Sequence, residues 1–193
     1  AMYQNAVWYQ NQVADYEKRA KLLGFTKVSQ EKLAVAKKIK DFVLGGGFMF
    51  AMCSATDSYD IALAAEGNDI CATQFDHDAM NPNAQAKLNF DNSFAFQNYQ
   101  ISTNPYEYEF STIDVSQMRP VKQEMDYFSL FDFSAKWDQV PSMLTQDHEK
   151  LVKGFMGQTT AFKKPLIKTD VLILGENKSL NEAKYIHGVY GKG

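Results

Sequence analysis

Cys53 is the residue in this sequence whose type and position best suit catalysis. It follows an apolar run, Phe48–Met52, that predicts a short buried strand, and it precedes a Ser-Ala-Thr-Asp helix opening. A nucleophile in a sharp turn between a strand and a helix has the geometry of a nucleophile elbow. Amides at the start of the helix can lower the thiol pKa and stabilise an oxyanion. We therefore expect Cys53 to be catalytic.

The residues around Cys53 are predicted to form the binding part of the site. Small residues, Ala51 and Ala55, stand two positions before and after it and permit the close packing that an elbow requires. The expected ligand-binding residues are Gly47, Ser54, Ala55, Thr56 and Asp57. The alternative is that Cys53 is a structural core residue, because free cysteine is among the most buried residue types.

Composition limits the classes of function. The chain has 193 residues, 45% of them hydrophobic and 22% charged, which suits one globular domain with a sizeable core. A net charge of −3 gives no general attraction to nucleic acid or to a membrane surface. No apolar run reaches the ~18 residues of a membrane span. We expect a small-molecule ligand, no cofactor, and neither a nucleic-acid nor a membrane partner.

Cys53 and Cys71 are the two cysteines of the chain, and they do not suggest a disulfide framework. Free thiols are typical of a reducing compartment. We therefore expect a cytoplasmic protein.

Hydrophobic periodicity predicts both helices and strands. The predicted helices are 6–23, 30–44 with Ser29 as its cap, and 55–66. The predicted strands, besides the apolar run before Cys53, are 94–101, 127–133, 171–175 and 183–190. The succession of helix, glycine-rich turn, strand, turn and helix favours an α/β fold with a parallel sheet covered on both faces. Residues 68–125 are predicted to form an irregular insertion.

Other groups that could do chemistry have simpler interpretations. His77, His148 and His187 are expected to be surface or structural residues, and Asp76-His77-Asp78 is not expected to hold a metal. Aromatic side chains offer a second kind of site. Tyr106, Tyr108, Phe110 and Trp137 could surround the elbow cleft and bind a carbohydrate or small metabolite by stacking.

Two segments carry a family resemblance. Gly45–Asp57 resembles the strand, elbow and helix of class I glutamine amidotransferase-like domains, in particular the trehalose-utilisation (ThuA-like) branch, with Cys53 in the place of a histidine. Tyr185–Gly193 is similar to a second signature of that branch, which precedes a final strand. Nearly the whole chain resembles a Bacteroidetes family labelled asparagine synthetase B, through Phe48–Glu66, Asn104–Phe110 and Gly154–His187.

The resemblance implies a three-layer α/β sandwich of the flavodoxin-like, class I glutamine amidotransferase-like type, present as an incomplete domain. The labelled activity needs an N-terminal cysteine and a Ser-Gly-Gly-x-Asp-Ser loop, and the chain contains neither. Class I chemistry needs a histidine and an acid, which in this superfamily follow the last core strand, beyond Gly193. We expect an amidotransferase-like protein that is inactive as this fragment.

Two further expectations follow from the resemblance. The alternative function is a non-catalytic carbohydrate or small-metabolite binding module of the ThuA-like type. A sheet that lacks a core strand exposes an unpaired edge. We therefore expect homodimerisation through such an edge, with 185–190 as the participating strand.

Overall fold

The computed structural model describes residues 5–104, 107, 110–115, 122–130, 150–154, 157 and 159–193. Within them the helices are α1 (Val7–Leu22), α2 (Val28–Leu44), α3 (Ala55–Ala64) and the single turn α4 (Thr73–Asp76). Short 3₁₀ helices lie at Gln85–Lys87, Phe90–Asn92, Gln123–Met125 and Lys164–Leu166. The predictions of helices at 6–23, 30–44 and 55–66 are confirmed by α1, α2 and α3. The cap of α2 is Lys27, in extended backbone, and not Ser29 as predicted.

Glycines end α1 and α2 where the sequence indicates. Gly24 has φ +85°, and the N–H of Phe25 then bonds to the carbonyl of Ala20 at 2.9 Å. After α2, Gly46 has φ +107° and the N–H of Gly47 bonds to the carbonyl of Phe42. Left-handed backbone costs glycine little, so the chain can leave each helix at once and still satisfy its last carbonyls.

The strands are β1 (Tyr127–Leu130), β2 (Leu151–Lys153), β3 (Phe162–Lys163), β4 (Leu172–Asn177) and β5 (Glu182–His187). They form one five-stranded sheet in the order β2-β1-β4-β5-β3, and every pair is antiparallel. The prediction of a parallel sheet is therefore wrong for these strands. For one pair the connection explains the direction: β4 and β5 are joined by a turn too short for a crossover, in which Asn181 has φ +54°.

The predicted strand at 48–52 is also wrong, since this segment carries no strand and lies outside the sheet. Phe48, Phe50 and Met52 are 64%, 56% and 63% exposed. The predicted strand 94–101 is reduced to isolated bridges, from Phe96 to Ile167 and from Ile101 to Ser111. Cys53 consequently does not follow a central strand, although it does directly precede a helix.

The core lies between α3, the loop after Phe90, and the sheet. Its buried members are Ile61, Ala64, Phe96, Tyr99, Ile113, Phe162, Ile167, Val171 and Ala183. Phe96 and Phe162 meet edge to face, with ring centroids 5.5 Å apart. The core therefore fixes α3, and with it the residue before that helix, against β3 and β5.

β5 contains most of the predicted strand 183–190, and it lies within the sheet order and not at its edge. Its neighbour β3 pairs with Glu182 and Ala183 of β5, and Phe162 of β3 also forms an isolated antiparallel bridge to Asp114. None of the helices in the described ranges combines the length and the apolar composition needed to cross a bilayer. The predicted strand residues 131–133, together with Tyr106, Tyr108, Trp137 and His148, lie outside the described residues.

Candidate ligand cavity around Cys53

A cavity of about 560 Å³ lies where the Gly47–Cys53 segment, the start of α3, the loop at Phe94–Phe96, and β5 with its continuation to Gly193 come together. The turn after β5 is attached to the end of α2, because Lys192 donates its backbone N–H to the carbonyl of Leu44 at 3.2 Å. Gly191 makes this contact possible: it has φ +68°, and a Cβ there would approach the backbone of Leu44 to 2.9 Å.

The lining is mainly aromatic and aliphatic. Its rings include Phe48, Phe50, Phe94, Phe96, Phe128 and Tyr185. Phe50 and Tyr185 meet edge to face at 6.5 Å between ring centroids. Phe110, one of the aromatic residues predicted to surround the cleft, is 48% exposed and does not line this cavity in the described part of the chain.

Cys53 lies in a turn immediately before α3 and is exposed where it lines the cavity. Its φ is +56°, the left-handed backbone that a nucleophile elbow uses to present a side chain above a helix start. The nearby amides are already engaged. Ala55 donates its N–H to the carbonyl of Met52 at 3.2 Å, and Thr56 donates to the carbonyl of Cys53 at 3.0 Å. These two amides therefore form a turn and are not offered to an anion.

Three of the five predicted ligand-binding residues line the cavity and two do not. Gly47, Ala55 and Thr56 line the cavity together with Cys53. Ser54 does not line it, and although it occupies the cap position of α3, its side chain makes no capping hydrogen bond. Asp57 is completely buried behind the wall.

Two of the three histidines are described. His187, predicted to be a surface or structural residue, ends β5 and lines the same cavity as Cys53. His77 follows α4 with φ +66° and is exposed away from the cavity.

Asp60 belongs to the candidate site and was not predicted from the sequence. It is 2% exposed, and its carboxylate accepts the backbone N–H groups of Phe94, Ala95 and Phe96 at 2.7, 2.8 and 2.7 Å. Burial raises the pKa of Asp60 to about 6, against the opposing effect of these N–H donors. The interaction holds two cavity rings on the wall. The sequence did contain a signal for a buried role: Asp60 stands three residues after Asp57 and lies on the same side of the helix as the apolar residues Ile61 and Ala64.

A second buried polar group connects α3 to the opposite side of the fold. Thr159 lines the cavity, donates its N–H to Oδ2 of Asp114 at 2.6 Å, and places its hydroxyl 3.1 Å from Oδ1 of Asp57. Oδ2 of Asp57 is buried and has no hydrogen-bond partner among the described residues. Burial is the main cause that raises the pKa of Asp57 to about 7, and the charge of Asp114 adds to it.

A buried ion pair stands at another part of the wall. Nζ of Lys184 lies 2.8 Å from Oδ2 of Asp126, and the two side chains are 3% and 0% exposed. Lys184 belongs to the cavity lining. Gly154 packs against the Asp126 carboxylate so closely that a Cβ there would overlap it. The ion pair with Asp126 therefore holds the Lys184 ammonium at a fixed position in the otherwise mainly apolar wall.

Away from the cavity, carboxylate oxygens of Asp69, Asp76 and Asp78 lie within 4.8 Å of one another. The ammonium of Lys27 binds all three, at 2.9 Å from Asp69 and 3.4 Å from Asp76 and in a close contact with Asp78. Its hydrogen bonds to these carboxylates raise the pKa of Lys27. The cluster thus has a cation supplied by the chain itself, which fastens the 69–78 loop to the start of α2.

No family model, curated protein or solved structure matches the chain.

Proposed function

We propose that the chain is a small-molecule binding domain whose cavity takes a carbohydrate or another small metabolite with an apolar or ring-shaped face. The observation that carries the proposal is the cavity itself. Its volume of about 560 Å³ lies within the usual range for ligand sites. Its aromatic walls provide stacking surfaces, and a few polar groups, among them Lys184 and His187, supply orientation.

The second candidate is a cysteine-dependent amidotransferase or hydrolase. The specific observation in its favour is that Cys53 adopts left-handed backbone directly before α3 and shares a cavity with His187. A thiol and an imidazole in one cavity are two of the three groups of a cysteine–histidine–acid site. The turn bonds made by the amides of Ala55 and Thr56 count against it, since they leave the oxyanion without those donors.

The class I glutamine amidotransferase-like fold remains a proposal as well. The order of α2, glycine-rich turn, Cys53 and α3 along the chain supports it, although residues 48–52 between the turn and Cys53 form no strand. The antiparallel pairing of β1–β5 counts against the flavodoxin-like arrangement that we expected.

The binding proposal is tested with Nile red, a neutral dye that fluoresces in apolar sites. We expect the wild-type protein to bind it saturably. Ala51→Trp should weaken binding, because Ala51 lines the cavity and an indole there would fill it. Ala34→Trp on α2 is the matched control, since Ala34 is half-buried and lies away from the cavity. Equal affinities for Ala51→Trp and Ala34→Trp would contradict the proposal.

We also propose that the protein forms homodimers through residues 48–52, which belong to no strand of the sheet. The support comes from Phe48, Phe50 and Met52, which expose apolar side chains in alternation. Residues 48–51 make no backbone–backbone hydrogen bond to other parts of the described chain. Such a segment can pair with another extended chain.

A further inference from the structure

We propose that ligand binding in the cavity is linked to a proton held by the buried triplet Asp57–Thr159–Asp114, with Thr159 as the residue that positions the cavity wall. The inference rests on the proposed binding function and adds a regulation to it.

Thr159 links the triplet to the cavity. It is 2% exposed, belongs to the cavity lining and has φ +53°. Left-handed backbone is unfavourable for a β-branched residue, so other contacts must hold it. Those contacts are the N–H bond to Asp114 at 2.6 Å and the hydroxyl contact to Asp57 at 3.1 Å. The position of this part of the wall therefore depends on two carboxyl groups.

The donors of Thr159 cannot serve two ionised carboxylates fully. Its single O–H lies 3.1 Å from Oδ1 of Asp57 and 3.4 Å from Oδ2 of Asp114, and it can donate to only one of them at a time. Oδ2 of Asp57 has no partner among the described residues. A proton on Asp57 removes one charge and reduces this deficit, because a buried, unsatisfied carboxylate is costly.

The charged and titratable groups around Asp57 favour the protonated form. Asp114 faces it across Thr159, and Asp60 stands one turn further along α3. The hydroxyl of Tyr99 bonds to the backbone carbonyl of Asp60 and lies within the influence of both carboxylates of the helix. Ionisation of Asp57 thus adds a like charge to a buried acidic group. The pKa of Asp57 near 7 places this change in the physiological range.

The consequence is a cavity that changes with pH. When Asp57 loses its proton, repulsion from Asp114 and the unsatisfied oxygen favour opening of the triplet to water. Thr159 then loses the contacts that keep it in left-handed backbone, and the wall that it forms is no longer fixed. An apolar ligand should therefore bind more tightly below pH 7 than above it.

The test measures the dissociation constant of Nile red from pH 5.5 to 8.5. For the wild-type protein we expect affinity to fall roughly fivefold or more across this range, the size of a modest coupling between two sites. Asp57→Asn should show no such fall, because the amide keeps the shape of the protonated acid without titrating. His187→Gln is the necessary control, since His187 also lines the cavity, and it should retain the pH dependence.

Two variants at Thr159 separate positioning from general damage. Thr159→Ser keeps the hydroxyl and should keep the midpoint of the transition. Thr159→Val removes the donor that stabilises the Asp57 carboxylate, so its midpoint should move to higher pH. Direct observation of the Asp57 carboxyl carbon by NMR titration should give the same midpoints without any dye.

Failure of the proposed binding function and failure of the role proposed for Asp57 would give different results. If the wild type and Ala34→Trp bind no Nile red at any pH, the binding function is wrong, and the link between binding and the proton on Asp57 is wrong as well. If they bind and Asp57→Asn retains the pH dependence, or His187→Gln loses it, the binding function stands and the role of Asp57 is wrong.

Discussion

The carboxylate of Asp60 accepts the backbone N–H of Phe96 at 2.7 Å, so a residue of α3 holds an aromatic ring that belongs both to the core and to the cavity. The N–H groups of Phe94 and Ala95 bind the same carboxylate. Three consecutive amides directed at one buried acid replace the strand pairing that this loop would otherwise need. The position of the Phe94–Phe96 part of the cavity wall therefore depends on the Asp60 side chain.

Removal of that side chain should destabilise the fold strongly. Asp60→Ala leaves three N–H donors without their acceptor, and we expect the free energy of unfolding to fall by about 3–5 kcal/mol. Urea unfolding followed by circular dichroism measures the change. Asp91→Ala is the control, since Asp91 is exposed, and it should change stability by less than about 0.5 kcal/mol. Equal losses in the two variants would show that the amides find other partners.

Stability should decrease as pH rises through the neutral range. Asp57 has a folded-state pKa of about 7, above its unfolded value, so between pH ~4 and ~7 the folded protein binds more protons than the unfolded chain. The free energy of unfolding must then fall with rising pH, by at most about 4 kcal/mol from this group. Asp60, with a pKa of about 6, contributes in the same direction.

Asp57→Asn separates the two contributions. It should be more stable than the wild type at pH 8, and its stability should vary less between pH 5 and pH 8, with the remaining slope due to Asp60. Asp91→Asn is the matched control at an exposed acid and should follow the wild-type profile. A wild-type protein whose unfolding free energy rises from pH 5 to pH 8 would contradict the assignment.

The helices could be predicted because their signals are local. The apolar spacing of α1 and α2, the glycines after them and the Ser-Ala-Thr-Asp opening of α3 all lie within one or two turns of the feature they determine. The apolar segments in β4 and β5 were predicted for the same reason. Strand direction was not, since it depends on how a turn connects two strands and not on the composition of either strand.

The site could be predicted only in part. Cys53 and the start of α3 are adjacent in sequence, so their proximity was visible. Asp57 and Thr159 are 102 residues apart in the sequence, and no local sequence pattern predicts their contact. The loop at 94–101 has strand-like composition, but its first amides bind Asp60, which lies 34 residues away from Phe94. Long-range polar contacts of this kind override local preference.

The two thiols should differ in reactivity. Cys53 is exposed, whereas Cys71 is half-buried and its pKa is raised to about 11 by burial and by the charges of Asp76 and Asp69. Because the thiolate is the reactive form, we expect iodoacetamide to modify Cys53 at least about tenfold faster than Cys71 at pH 7.5. Peptide mass spectrometry over time gives both rates in one sample, and Cys53→Ala serves as the control for Cys71. Comparable rates would show that exposure does not govern access to Cys53.

Glutamine should not be hydrolysed by this chain. In the described residues the thiol of Cys53 has no hydrogen bond to a base, and the amides of Ala55 and Thr56 are bound within the turn. Without a base bound to its thiol, a cysteine hydrolase loses several orders of magnitude in rate. A coupled ammonia assay should give the same background for the wild type and Cys53→Ala. Release that Cys53→Ala and His187→Gln both abolish would favour the catalytic candidate over the binding domain.

Association between copies of the chain should depend on residues 48–52, before Cys53. No charged residue lies between Asp41 and Asp57, so nothing in this stretch opposes pairing with an identical segment. Phe48 is 64% exposed within it. We expect light scattering to show a mass that rises with protein concentration towards twice that of one chain. Phe48→Lys should reduce this association, because a charge on the exposed side disfavours edge pairing. Leu22→Lys, at a residue of α1 that is 77% exposed, should associate as the wild type does. A wild-type protein that stays monomeric at every concentration would show that the segment is not a pairing surface.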